Sequence, residues 1–183
     1  MTIMAFEGHV PRIPASVTLM PGCVVVGDVE FGEGCSVWFN TVVRGDVNWI
    51  RIGANTNIQD GAVLHVTNGS APLHIGSGVT IGHLAMLHGC TVENHCLIGM
   101  QATVLDGVIV GEESLVAAGA VVLENTIIPP RSLVAGVPAK VRRSLTDEEV
   151  ALLHKSEANY IGYCQRFADD SAVLPGRPAS DGE

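Results

Sequence analysis

Aromatic side chains are scarce: Phe, Tyr and Trp together make up 4% of the 183 residues. A core centred on a few large rings is therefore excluded, and aliphatic side chains have to fill the interior. Positive charge is also short, with 10 Lys and Arg against 19 Asp and Glu and a formal net charge of −9. That balance argues against a nucleic-acid or anionic-membrane surface. Although 47% of the residues are hydrophobic, no run approaches the roughly 18 apolar residues of a membrane span. The stretch from Met1 to Glu7 lacks a basic segment followed by an apolar one, so no secretory leader is expected. Cys23, Cys35, Cys90, Cys96 and Cys164 form no C-x-x-C pair and are odd in number. A disulfide framework is thereby excluded, and a reducing, cytoplasmic setting is expected. The length suits one domain with a sizeable core.

What is present is a period of six. Leu19, Val25, Phe31, Val37 and Val43 step by six, and so do Ile52, Ile58 and Leu64, then Ile75, Ile81 and Leu87. A last frame runs Val92, Ile98, Val104, Val110, Val116, Val122, Ile128 and Val134. Four residues after most of these stands a smaller side chain, such as Cys35, Thr41, Ala62, Ala85, Ala102, Ala120 or Ser132. This period fits neither an amphipathic helix nor simple strand alternation. It fits a short strand, a corner and another short strand, with the large residue inside and the small one at the corner. The expected fold is all-β, a parallel β-helix of hexapeptide repeats. Residues 44–51 and 65–74 interrupt the frame and are expected to be inserted loops that leave the solenoid. The step from Leu87 to Val92 is one residue short.

The pattern ends after Val134. Thr146 and Glu149 make a capping box, with Asp147 and Glu148 in the first turn. A helix is predicted over about 147–168, with Val150, Leu153, Glu157, Tyr160, Ile161 and Cys164 on its covered side. The division is then a lead-in at 1–18, a solenoid at 19–140, a C-terminal helix segment at 141–168 and a mobile tail at 169–183. Cys23, Cys35, Cys90 and Cys96 are read as packing residues.

The stretches RGDVNWIRIGANTNIQDGAVLHV, VTIGHLAMLHGCTVENHCLIGM and AGVPAKV resemble the gamma-class carbonic anhydrase family, over about residues 10–165. The resemblance implies a left-handed coil with three hexads per turn, a homotrimer and a metal at each subunit interface. With three hexads per turn, Leu87 lies one turn above Leu64, so His65 and His88 stack on one face about 4.8 Å apart. His83 belongs to the preceding face. The counting therefore favours His65 and His88 from one chain and His83 from the next around a single ion, with imidazole suiting Zn2+, Fe2+ or Co2+. Arg44 falls one turn below His65, and Asp60 one turn below His83. His9, His74, His95 and His154 show no such register and are read as surface residues, with His74 a minor candidate for proton transfer.

The resemblance implies reversible hydration of carbon dioxide to bicarbonate. Three imidazoles leave a coordination position open for water, whose pKa falls toward ~7. Gln59 is placed to orient the resulting hydroxide and Asn57 to position Gln59 or polarise substrate. Asp60 is placed to fix a ligand tautomer, and Arg44 to hold the anionic product. Asp46 pairs with an arginine, in an arrangement that reads equally as structural or catalytic. Tyr160 reaches toward the site from the final helix. Neither Val47-Asn48-Trp49 nor Val66-Thr67-Asn68-Gly69-Ser70 contains the glutamates of the family's acidic proton-relay loop, so slow or buffer-dependent turnover is expected. Two other readings use the same solenoid. Acyl transfer from a thioester needs one histidine base and no metal. A trimeric scaffold would keep the metal for stability alone.

Overall fold

The structure, a computed structural model, describes residues 1–170. Residues 171–183, the greater part of the expected mobile tail, lie outside the described residues. Most strands are two or three residues long, and from Asn57 to Ser132 they pair in parallel with the third strand after them until each column ends. Val63–His65 pairs with Met86–His88, which pairs with Thr103–Val104, which pairs with Val121–Val122. Leu73–Ile75, Thr91–Val92, Ile109–Val110 and Ile127–Ile128 form a second column. Asn57–Ile58, Thr80–Ile81, Leu97–Ile98 and Leu115–Val116 form a third. Three faces recurring once per coil make a triangular parallel β-helix.

The inward column is as the period of six requires. Val25, Val37, Ile58, Leu64, Ile75, Ile81, Leu87, Val92, Ile98 and Val104 are fully buried, and each Leu, Ile or Val so placed contributes roughly 1.5–3 kcal/mol of transfer free energy. Small corner residues do more than fit. Hydroxyls of Thr41, Thr56 and Ser114 donate to the carbonyls of Gln59, Gly76 and Pro129 one coil above, at 2.9, 2.8 and 3.1 Å. Cys35 Sγ does the same toward Gly53 at 3.0 Å. Polar side chains are thus accepted beside an apolar core because each meets a corner carbonyl. Burial pushes the Cys90 and Cys96 thiols up to about 12, in keeping with packing rather than reactivity.

Two corner columns are left-handed throughout, one through Asn40, Gly61, Leu84 and Gln101 and the other beneath the C-terminal segment. In the latter, Gly34, Asn55, Gly78, His95, Glu113 and Arg131 all have φ between 54° and 70°, and backbone bonds stack them one coil apart. The C-terminal helix, Asp147–Asp170, runs along this corner. Its capping box is closed: Glu149 N donates to Thr146 Oγ1 at 3.3 Å and Thr146 N to Glu149 Oε2 at 3.0 Å. Leu145, Val150 and Leu153 pack on Leu97, Leu115 and Leu133. A polar ladder follows the same edge, with Asp147 paired to Arg131, His154 to Glu113 and Glu157 to His95. Ile161, expected on the covered side, is exposed instead, because the helix docks through this ladder and through Tyr160 against Trp38. No helix among the described residues is long and apolar enough to cross a membrane.

Two other expectations need correction. Residues 44–51 leave the solenoid only in part: they lie within the strand Val42–Ile52, which turns a corner and joins two faces. It pairs with Val24–Phe31 on both sides of the corner, but Gly45 and Ile50 face Gly27 and Val29 and residues 46–49 have no strand partner, so the extra residues stand out as a bulge at the corner. Of residues 65–74, only the stretch between His65 and Leu73 projects, since Val63–His65 and Leu73–Ile75 are both strands. The ends are also more structured than the hexads suggested. Thr2–Met4 pairs with Val24–Phe31, and Ala139–Ser144 returns antiparallel to Ser132–Gly136, covering the edge of one face of the last coil.

Candidate metal centre

His65 and His88 are direct cross-strand partners in adjacent coils. Leu64 and Leu87 beside them point inward and are fully buried, so alternation turns both imidazoles out. The rings meet edge to face, with centroids 5.0 Å apart, and His65 Nδ1 lies 3.0 Å from His88 Nε2. Their other nitrogens face carboxylates: His65 Nε2 lies 3.1 Å from Asp46 Oδ1 and His88 Nδ1 2.5 Å from Asp106 Oδ1. Arg44 holds the other oxygen of Asp46, and Thr67 Oγ1 donates to Asp106 Oδ2 at 2.5 Å.

The electrostatics follow from partial burial. Burial pushes the His65 imidazolium down and outweighs its hydrogen bond with Asp46, so the ring favours the neutral form that binds cations. Burial pushes Asp46 up, but the hydrogen bonds from Arg44 and His65 prevail and leave its carboxyl below the usual range. The same contest leaves Asp106 lowered, through Thr67 and His88. Carboxylates behind imidazoles orient the rings and raise their basicity, as they do around metal-ligating histidines. Two nitrogens 2.0–2.1 Å from a tetrahedral ion stand about 3.3 Å apart, so the observed 3.0 Å needs only a slight opening. His65 and His88 fit as two donors of one transition-metal ion.

His83 is not part of this pair within one chain. It stands on the neighbouring face, beyond the corner that Leu84 turns with φ 59°, and its Nδ1 lies 2.7 Å from Asp60 Oδ2. Gln59 is buried beside it. Gln59 Oε1 accepts the His83 backbone N–H at 3.2 Å, and Gln59 Nε2 donates to Asn57 Oδ1 at 3.2 Å. Asn57 Nδ2 in turn donates to Thr80 Oγ1 at 2.9 Å. Asn57 thus positions Gln59. Tyr160 joins Gln59, Thr80 and His83 around a cavity of about 400 Å³. Burial, then the Asp60 and Tyr163 charges, push its phenol up to about 12, so it is a donor at neutral pH. His74 lines a different cleft with Glu93, Asn94 and Glu112.

The structure therefore divides the expected residues into two half-sites: Arg44, Asp46, His65 and His88 on one, and Asn57, Gln59, Asp60, His83 and Tyr160 on the other. Asp106 and Thr67 were missed. The short step from Leu87 to Val92 carried the signal. It removes a residue beneath Asp106, and Gly89 there has φ 52°. A Cβ on Gly89 would stand 2.5 Å from Asp106 Oδ1, so the missing side chain lets Asp106 reach down to His88.

The model of the bacterial transferase hexapeptide (six repeats) matches residues 89–124. Gamma carbonic anhydrase 1, mitochondrial, of Arabidopsis thaliana is 46% identical over 176 residues, which is 93% of this chain and 64% of that protein. Carbonic anhydrase of Geobacillus kaustophilus is 45% identical over 159 residues, 87% of each chain. The chain belongs to the gamma carbonic anhydrase family. It spans under two thirds of the plant gamma carbonic anhydrase's length and most of the Geobacillus carbonic anhydrase's. Among solved structures, a hexapeptide transferase family protein from Anaplasma phagocytophilum matches with a TM-score of 0.85 and 36% identity, covering 91% of this chain and 98% of that one. Hexapeptide coils are shared by proteins named for different chemistries, so the coil does not by itself assign a reaction.

Proposed function

We propose that this protein reversibly hydrates carbon dioxide to bicarbonate at metal centres shared between subunits of a homotrimer. His65 and His88 of one chain and His83 of the next hold the ion, which is zinc, with iron or cobalt as substitutes. The supporting observation is the in-register pair whose facing nitrogens are 3.0 Å apart while Asp46 and Asp106 hold the rings from behind. Asp60 does the same for His83. The acidic composition and five unpaired cysteines favour a reducing cytoplasm as the setting.

A divalent ion in this set supplies the Lewis acidity that makes water a nucleophile near neutral pH. Gln59 is fixed at both ends of its carboxamide and keeps a second Nε2 hydrogen, with which it orients the attacking oxygen. Arg44, held by Asp46 at the edge of the pair, attracts the bicarbonate product. Tyr160 closes the apolar side of the cavity and keeps its proton. Each turnover releases one proton, and neither inserted stretch offers a glutamate to accept it. Proton departure therefore limits the rate, and added buffer accelerates it.

The test is stopped-flow carbon dioxide hydration with protein purified anaerobically and its metal quantified. His83→Ala and His88→Ala chains are each inactive alone. Mixed trimers of the two recover partial activity, because some of their interfaces carry a complete ligand set. Absence of recovery in verified mixed trimers overturns the shared centre. Thioester hydrolysis without carbon dioxide hydration would favour acyl transfer instead.

A further inference from the structure

We propose that His95, His154 and Glu157 form a second divalent-cation site, which clamps the C-terminal helix to the solenoid. His154 and Glu157 are three residues apart on one helix face, while His95 and Glu113 occupy successive positions of the left-handed corner column. One ring nitrogen of His95, one of His154 and a Glu157 carboxylate oxygen all lie within 4.8 Å of one another. Glu157 Oε2 is 3.2 Å from His95 Nδ1, and Glu113 Oε1 is 3.2 Å from His154 Nε2.

Ion pairing alone explains this cluster poorly. The two imidazole centroids are 4.5 Å apart, so salt bridges to both carboxylates would set two imidazolium charges side by side. One divalent ion held by both rings and Glu157 needs neither ring charged and leaves Glu113 to Arg131. Two imidazoles and carboxylate oxygens are a donor set for zinc or another borderline first-row ion. The space is also kept clear from below. A Cβ on Gly78 would stand 2.4 Å from His95 Nδ1 and 2.5 Å from Glu157 Oε2, so a side chain at this column position would intrude on two of the donors. The helix donors reach an ion by small side-chain movements, since His154 is partly exposed. Coordination there joins elements about 60 residues apart in sequence, stabilising the docked helix without touching the His65–His88 pair.

The test compares full-length wild type with His154→Gln and Glu157→Gln after dialysis against buffered micromolar free zinc. Wild type retains one more ion per chain than either variant. This difference persists whether or not the His65–His88 centre is loaded, so it is read independently of the proposed function. Zinc also raises the melting temperature of wild type more than that of either variant, followed by fluorescence of Trp38, which packs on Tyr160 and Phe167 of the helix. Equal ion content in all three proteins, or equal zinc shifts, overturns the proposal.

Discussion

The His65–His88 face and the His95–His154 corner set imidazoles against carboxylates in two different ways. On the face, both histidines come from adjacent coils and are direct strand partners, so the solenoid's own register aligns them. Their carboxylates, Asp46 and Asp106, also come from coils, and the side toward solvent stays open. At the corner, only His95 and Glu113 belong to the solenoid, and the helix brings His154 and Glu157 to complete the cluster. Stacking makes a repeated half-site without further elements, whereas a closed site needs an element that departs from the repeat. The first arrangement suits a centre that must admit a substrate. The second suits a fastening.

The largest effect that sharpens this contrast is expected from Asp106→Asn. Loss of the charged partner behind His88 should weaken metal binding at the face by roughly 10–100-fold, measured by competition with a fluorescent chelator. Glu113→Gln, its counterpart at the corner, should leave that affinity and carbon dioxide hydration unchanged. If the two substitutions weaken hydration equally, the two clusters are one functional unit and the contrast fails.

A smaller effect lies at the base of the helix. Hydrogen bonds from Arg143, then from the Thr146 backbone, hold the Glu149 carboxyl down to about 2, against an ordinary value of 4.5. A depressed carboxyl contributes stability that is complete above its ordinary value and lost as pH falls through about 2. Helix docking should therefore weaken across that acid window, as monitored by circular dichroism and Trp38 fluorescence. Glu149→Gln should flatten this part of the profile. An unchanged profile would show that the capping box does not govern docking.

Much of the solenoid was legible because a six-residue period records which residue faces in, and the inward column is buried as the period requires. The pairing of His65 with His88 followed from the same counting once three hexads per turn were granted. What stayed hidden depended on departures from the repeat. The extra residues at 44–51 looked like a loop because the period stops there, yet the chain pairs on both sides of residues 46–49 and holds them as a bulge at a corner. Asp106 reaches His88 only because one residue is missing beside Gly89, a local gap that counting by six registers without giving its direction. The cluster at His95 joins a coil position to a helix face, and no period relates the two, so His95 and His154 read as unrelated surface residues.

Anomalous diffraction from crystals of the zinc-loaded protein, recorded on both sides of the zinc absorption edge, tests the shared centre most directly. The account predicts a peak bonded to His65 and His88 of one chain, with His83 of a neighbouring chain as the third ligand at about 2.0–2.1 Å. A zinc-loaded crystal with no peak between His65 and His88, or with His83 remote from that peak, would contradict it.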